Sequence, residues 1–98
     1  MEMESKLTRK KQLAADQGIK DAMYDYAKML DNGDGIEPNK KKAAHYYKLA
    51  ADQGVRNAMI KYAIMLDNGE GINKNKKKAA HYYKLAADQG DRDAMFNY

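Results

Sequence analysis

The chain has 98 residues, 44% hydrophobic and 33% charged, with a net charge of +4 and no cysteine. That makes one domain at most, or a piece of a longer array; disulfides and thiolate metal sites are excluded, and so mild a positive charge tolerates an acidic partner without demanding nucleic acid. No apolar run approaches the ~20 residues a membrane helix needs, and residues 1–11 are too charged for a signal peptide, so a cytoplasmic protein is expected.

In chain order, residues 3–18 read as a first helix that closes on Leu13-Ala14-Ala15-Asp16-Gln17-Gly18. The same closing motif returns at 49–54 and 85–90. Between these points lies a duplication: residues 19–54 and 55–90 agree at 27 of 36 positions without a gap, and 39–54 recurs letter for letter as 75–90. A period of this size predicts an all-α solenoid of stacked αα-hairpins, in which each repeat packs only on its neighbours.

The second repeat shows the pattern most clearly. Ala58, Met59, Tyr62, Ala63 and Leu66 fall on the stripe of an amphipathic helix, helix A. Asp67-Asn68-Gly69-Glu70-Gly71 stops it, since glycine tolerates the positive φ of a helix cap. Ile72 plugs the loop, and Asn75 suits an N-cap. Helix B then runs from Lys76 to Gln89, with Gly90 expected to end it. Alanines stand where helices should approach closely, and Tyr82 and Tyr83 supply bulk with a hydroxyl for a polar edge.

The two ends differ. Lys10 and Lys11 occupy the places held later by Tyr46-Tyr47 and Tyr82-Tyr83, so the first helix reads as a cap with a polar outer face. Residues 91–98 begin a third helix A. Ala94, Met95 and Tyr98 are core-type residues there with no helix B to cover them, which points to self-association through this end, as a homodimer or by an exchanged helix.

The motifs resemble the SEL1-like repeat, a relative of the tetratricopeptide repeat. The resemblance rests on the loop Asn68-Gly69-Glu70-Gly71 and on helix B, read from Ala79 through Tyr82-Tyr83 and Ala86-Ala87 to Asp88-Gln89-Gly90. Ala63 departs from the family's glycine, and Tyr82 from its tryptophan. The match covers residues 13–98 and implies a right-handed superhelix of about two and a half repeats: a cap at 3–18, repeats at 19–54 and 55–90, and a truncated helix at 91–98. It also implies a protein-interaction scaffold or adaptor with helix A lining the concave surface.

Six of the nine differences between the repeats fall in helix A or just before it, and five of these share one face, opposite the Ala-Met-Tyr-Ala-Leu stripe. The resemblance puts that face in the groove. The candidate contacts for a peptide or helix are Asp21, Tyr24, Asp25 and Lys28 in one repeat, Asn57, Ile60, Lys61 and Ile64 in the next, and Phe96 beyond.

Other chemistry is poorly supported. His45 and His81 sit one repeat apart, on the order of 10 Å given helix spacings of ~8–10 Å, too far to share a metal with ~2 Å ligand bonds. The Asp31-Asn32-Gly33-Asp34-Gly35 loop lacks the oxygen ligands of a calcium site at its third and fifth positions. Lys40-Lys41-Lys42 and Lys76-Lys77-Lys78 place positive charge at helix starts, against the helix dipole. They would be the contacts of an RNA-binding alternative, although a solvated face is the simpler reading. No nucleophile–base pair and no phosphate loop can be placed, so neither an enzyme nor a cofactor is expected. The expected partner is a protein, with neither nucleic acid nor a membrane favoured.

Overall fold

The structure, a computed structural model, describes the backbone of residues 5–96 and side chains through residue 90. Five α-helices account for the regular structure of the described residues: α1 (Lys6–Asp16), α2 (Lys20–Asn32), α3 (Lys40–Asp52), α4 (Arg56–Asn68) and α5 (Lys76–Phe96). Each packs chiefly on the helix before and the helix after it. This is the solenoid the period predicts, with α2 and α4 as A helices and α3 and α5 as B helices.

Local signals explain the boundaries. The Asn39 and Asn75 carboxamides each accept from a backbone N–H three residues on, Lys42 and Lys78, at 3.0 Å, which satisfies an orphan donor of the first turn. Helices α2 and α4 stop at Gly33 and Gly69, both left-handed with φ of 77° and 72°. The second glycine of the loop serves a close approach. Gly71 has φ +68°, and a Cβ on it would collide with the Lys40 carbonyl, so the loop after α4 lies directly against the start of α3. The loop after α2 meets α1 the same way, with the Ser5 N–H donating to the Gly35 carbonyl at 2.9 Å.

The core is a single cluster. Ala43, Ala50, Ala58 and Ala63 are fully buried where helices cross, alongside Tyr26, Tyr47, Tyr62, Leu30 and Leu66. Ala63 therefore fills the family's glycine position without leaving the core. Ile36 and Ile72 are half-buried against the cluster, as plugs under their loops. Tyr26 and Tyr46 meet edge to face at 4.8 Å between centroids, and Tyr62 and Tyr82 repeat the contact at 4.9 Å. Such pairs contribute about 0.5–1.5 kcal/mol beyond burial.

The expected stop at Gly90 is not made: α5 continues without a break to Phe96. The preceding repeat differs at this point. Gly54, at φ +92°, turns the chain between α3 and α4, and the next residue locks the turn. The Val55 N–H donates to the Ala50 carbonyl at 3.0 Å, the Gly54 N–H donates to Ala51, and Val55 packs half-buried on the core. This is a Schellman motif, which commonly carries an apolar contact at that residue. Ile19 follows Gly18 with the same hydrogen bonds. Ile19 is exposed even so, and Gly90 is followed by Asp91 where the other two turns carry an apolar residue.

Candidate protein-interaction surface

The variable face of the A helices lies outward. Asp21 and Lys28 on α2 and Asn57, Lys61 and Ile64 on α4 are exposed. Tyr24 and Ile60 occupy equivalent positions and are half-buried, packed against the core. Ile60 therefore packs on the core as well as lying on this face. Ile64 is the apolar residue that stands free, 37% exposed.

In the first repeat these residues interact with one another and with α1. The Lys28 ammonium lies 5.2 Å above the centre of the Tyr24 ring, within cation–π range. Tyr24 leans on Tyr47, centroids 6.0 Å apart, and the Tyr47 hydroxyl donates to Asp31 at 3.2 Å. Burial, and then the Asp31 charge, push the Tyr47 hydroxyl's pKa upward. Asp25 is held at 2.6 Å by Lys11 of α1. This modifies the reading of α1 as a cap: Lys10 is exposed, but Lys11 is half-buried and reaches α2. Phe96 ends α5 rather than standing on a separate A helix. Its side chain, those of Ala94 and Met95, and the whole of Tyr98 lie outside the described residues.

The lysine clusters are partly compensated. The Lys40 ammonium pairs with Asp31, and Lys76 with Asp67 at 2.6 Å, each reaching from the start of a B helix to the last turn of the A helix before it. The hydrogen bond that the Lys40 ammonium donates to Asp31 raises the Lys40 pKa. Lys41, Lys42, Lys77 and Lys78 are exposed. An open recess of about 750 Å³ lies between α3 and α4, bordered by Lys41, Ala44, His45, Lys48, Tyr62 and the 69–73 loop. No group of three acidic or histidine side chains that could hold a metal occurs among the described residues, nor does a helix long and apolar enough to cross a membrane.

One repeat-to-repeat contact escaped sequence reading. The Tyr46 hydroxyl donates to Asp16 at 2.7 Å, and the Tyr82 hydroxyl donates to Asp52 at 2.9 Å. The closing Asp-Gln-Gly of α1 and of α3 thus receives the first tyrosine of the B helix that follows. The constant 30-residue offset is the only sequence trace of this pairing.

The comparisons with known proteins agree with this geometry. The Sel1 repeat model matches residues 20–55 and 56–91. No curated protein matches the chain in sequence. Among solved structures, a Sel1 repeat protein from Oxalobacter formigenes is 32% identical with a TM-score of 0.83, covering 89% of this chain and 36% of its own. The antigen c5321 of uropathogenic Escherichia coli strains, which displays an SLR fold, is 25% identical with a TM-score of 0.82 over 85% of this chain and 18% of its own. Helicobacter pylori cysteine rich protein B shares the fold, at 22% identity and a TM-score of 0.82, over 95% of this chain and 70% of its own. The chain thus spans about a third of the first of these proteins and less of the second. Sel1 repeat proteins generally mediate protein–protein interactions and are generally non-catalytic. With two consecutive repeats matched over 36 residues each and the hairpin stack in place, the chain belongs to the Sel1 repeat family.

Proposed function

We propose that this chain is a protein-binding module that receives a peptide or a helix across the outward faces of α2 and α4. The supporting observation is the contrast within the duplication. Helix B and the core stripe of helix A are repeated almost unchanged, while the exposed face of helix A changes from Asp21, Tyr24, Asp25 and Lys28 to Asn57, Ile60, Lys61 and Ile64. Ile64 offers an exposed apolar contact, and Tyr24 a half-buried aromatic edge of the kind that anchors partners. Lys28 and Lys61 flank them with positive charge, so a partner with an apolar anchor and acidic neighbours fits this face.

The test is a random peptide display library selected against the intact chain. Selected peptides should lose at least tenfold in affinity for Ile64→Asp, whose far-UV circular dichroism should match the wild type because residue 64 is exposed. Peptides that bind Ile64→Asp and wild type equally would place the groove elsewhere.

A further inference from the structure

The contrast between the repeats is not confined to helix A. The recess between α3 and α4 is walled on one side by Lys41, His45 and Lys48 of α3, all exposed, and on the other by the 69–73 loop. Its floor is apolar: Ala44 and Tyr62 are buried, and Ile72 is half-buried. The three basic residues stand four and three residues apart, so they share one face of α3 and span about 10 Å at ~1.5 Å per residue. No acidic side chain among the described residues lines the recess. The loop's own acid, Glu70, accepts from Asn68 at 3.3 Å. Helices α2 and α5 pack on the outer sides of α3 and α4, so the recess belongs to the interior of the stack.

The gap before it, between α1 and α2, uses the equivalent positions and has a different character. Ser5 and Thr8 stand there for Lys41 and Ala44. Their hydroxyls lie 2.7 Å apart, and Thr8 donates to the Gly35 carbonyl at 3.3 Å, so helix and loop are tied together. Ala44 has no hydroxyl to make that tie. The charge differs too. Ser5, Arg9, Gln12 and Glu37 balance to zero, whereas Lys41, His45, Lys48 and Asn73 carry +2 with His45 neutral. Lys74 adjoins them where the first loop has Pro38. Lys48 also meets Asp52 at 2.9 Å, but as an exposed i,i+4 pair of little energetic weight, and an ammonium has three donors to share.

We propose that this recess is a second docking site, for an extended acidic segment of another protein in which two carboxylates flank an apolar side chain. It lies on the side of α4 away from Asn57, Ile60 and Ile64, so it stands independently of the outward face. Along an extended segment alternate side chains point the same way at ~3.3 Å per residue. Residues i, i+2 and i+4 then set one carboxylate on Lys41, an apolar group over Ala44, Tyr62 and Ile72, and the other carboxylate on Lys48, with His45 donating between them. Charge-assisted hydrogen bonds of this kind are about twice as strong as neutral ones. Nucleic acid fits less well, because unpaired bases bind by stacking on aromatic faces and Tyr62 is only 2% accessible.

The test is a titration of the isotope-labelled chain with the peptide Gly-Asp-Ser-Leu-Ser-Asp-Gly, followed by amide chemical shifts. The shifts should centre on Lys41, Ala44, His45, Lys48 and residues 69–73, and spare residues 57–64. Lys41→Ala with Lys48→Ala should weaken binding about tenfold or more. Lys77→Ala with Lys84→Ala, the same two positions on α5, removes equal charge and should change binding by less than about twofold. All four lysines are exposed, so both double variants should keep the wild-type circular dichroism. A peptide with serine in place of leucine should bind more weakly, since it leaves the floor uncovered. Recess amides that do not move at millimolar peptide, equal losses in the two double variants, or a serine peptide that binds as well as the leucine one would each overturn the proposal. So would mixed-sequence single-stranded RNA that shifts the recess amides where the peptide does not.

Discussion

The Tyr82 hydroxyl, in the first third of α5, donates to the Asp52 carboxylate at the end of α3, and the same carboxylate receives Lys48 at 2.9 Å through its other oxygen. One aspartate thus ties successive B helices together and closes an i,i+4 pair on its own helix. A hydrogen bond to a partly exposed carboxylate contributes about 1 kcal/mol net. Tyr82→Phe should lower thermal stability by roughly that amount, or ~4–8 °C for a domain of this size. Tyr46→Phe, which removes the equivalent bond to Asp16, should cost a similar amount, and the two losses should add because the sites are separate. Thermal melts of the two single variants and the double variant check this.

The same tyrosine sets the behaviour in alkali. Burial first, and then the hydrogen bond to Asp52, raise the Tyr82 pKa from 10.0 to about 12. Tyr46, Tyr47 and Tyr62 are shifted in the same direction, chiefly by burial. A group whose folded pKa is raised contributes its full stability below the unfolded pKa and loses it as the pH climbs through the folded value. Stability should therefore hold up to about pH 10 and fall between pH 10 and 12. Denaturant titrations monitored by circular dichroism should show this fall, and Tyr82→Phe should have a shallower one.

Close packing of alanines makes a third prediction. Ala63 is fully buried at the crossing of α4 with its neighbours. Ala63→Leu forces extra methylenes into that contact and should cost about 1–3 kcal/mol. Ile64→Asp, one residue on but exposed, should change stability by less than about 0.5 kcal/mol. Chemical denaturation of the pair separates the buried stripe from the outward face.

Two loop glycines with similar dihedral angles should respond differently to a methyl group. At Gly54 a Cβ meets open space, so Gly54→Ala carries only the left-handed backbone cost of about 1–2 kcal/mol. At Gly71 the same backbone cost is joined by a collision with the Lys40 carbonyl. Gly71→Ala should be the more damaging by about 1 kcal/mol or more, and should loosen the start of α3. Amide hydrogen exchange at Lys42 and Ala43, the first donors of that helix, reports the difference.

Much of this was legible in the sequence because each signal was local. Asn39 and Asn75 cap their helices, Gly33 and Gly69 stop theirs, and the alanine positions fall at the crossings. What was not legible depended on partners distant in sequence. Nothing near Asp16 or Asp52 shows that a tyrosine 30 residues on will donate to it, and nothing near Lys11 marks Asp25 as its partner. The half-burial of Ile60 against the core is likewise a tertiary effect that its place opposite the core stripe does not show. The opposition of the lysine clusters to the helix dipole lost part of its force once Asp31 and Asp67 were seen beside Lys40 and Lys76. Gly90 is the instructive case: the motif Asp-Gln-Gly is the same at all three B helices, yet two of them stop there and α5 runs on, and the residue that follows is Ile19, Val55 or Asp91.

Substitutions at Asp91 and Gly90 test whether the following residue sets the stop. Asp91→Val restores the apolar residue that locks the Gly54 turn, so Gly90 should move to positive φ and residues 91–96 should leave the line of α5. Gly90→Ala does the opposite. Alanine is favoured over glycine in a helix by about 1 kcal/mol and disfavoured in the left-handed turn by about 1–2 kcal/mol, so the straight helix should gain. The nearest neighbour of its new methyl group is the Arg56 guanidinium, the movable end of a long side chain. Backbone carbon chemical shifts across 88–96 distinguish the two states, helical in Gly90→Ala and interrupted at Gly90 in Asp91→Val. Helical shifts through residue 96 in Asp91→Val would mean that the missing apolar contact is not what lets α5 run on.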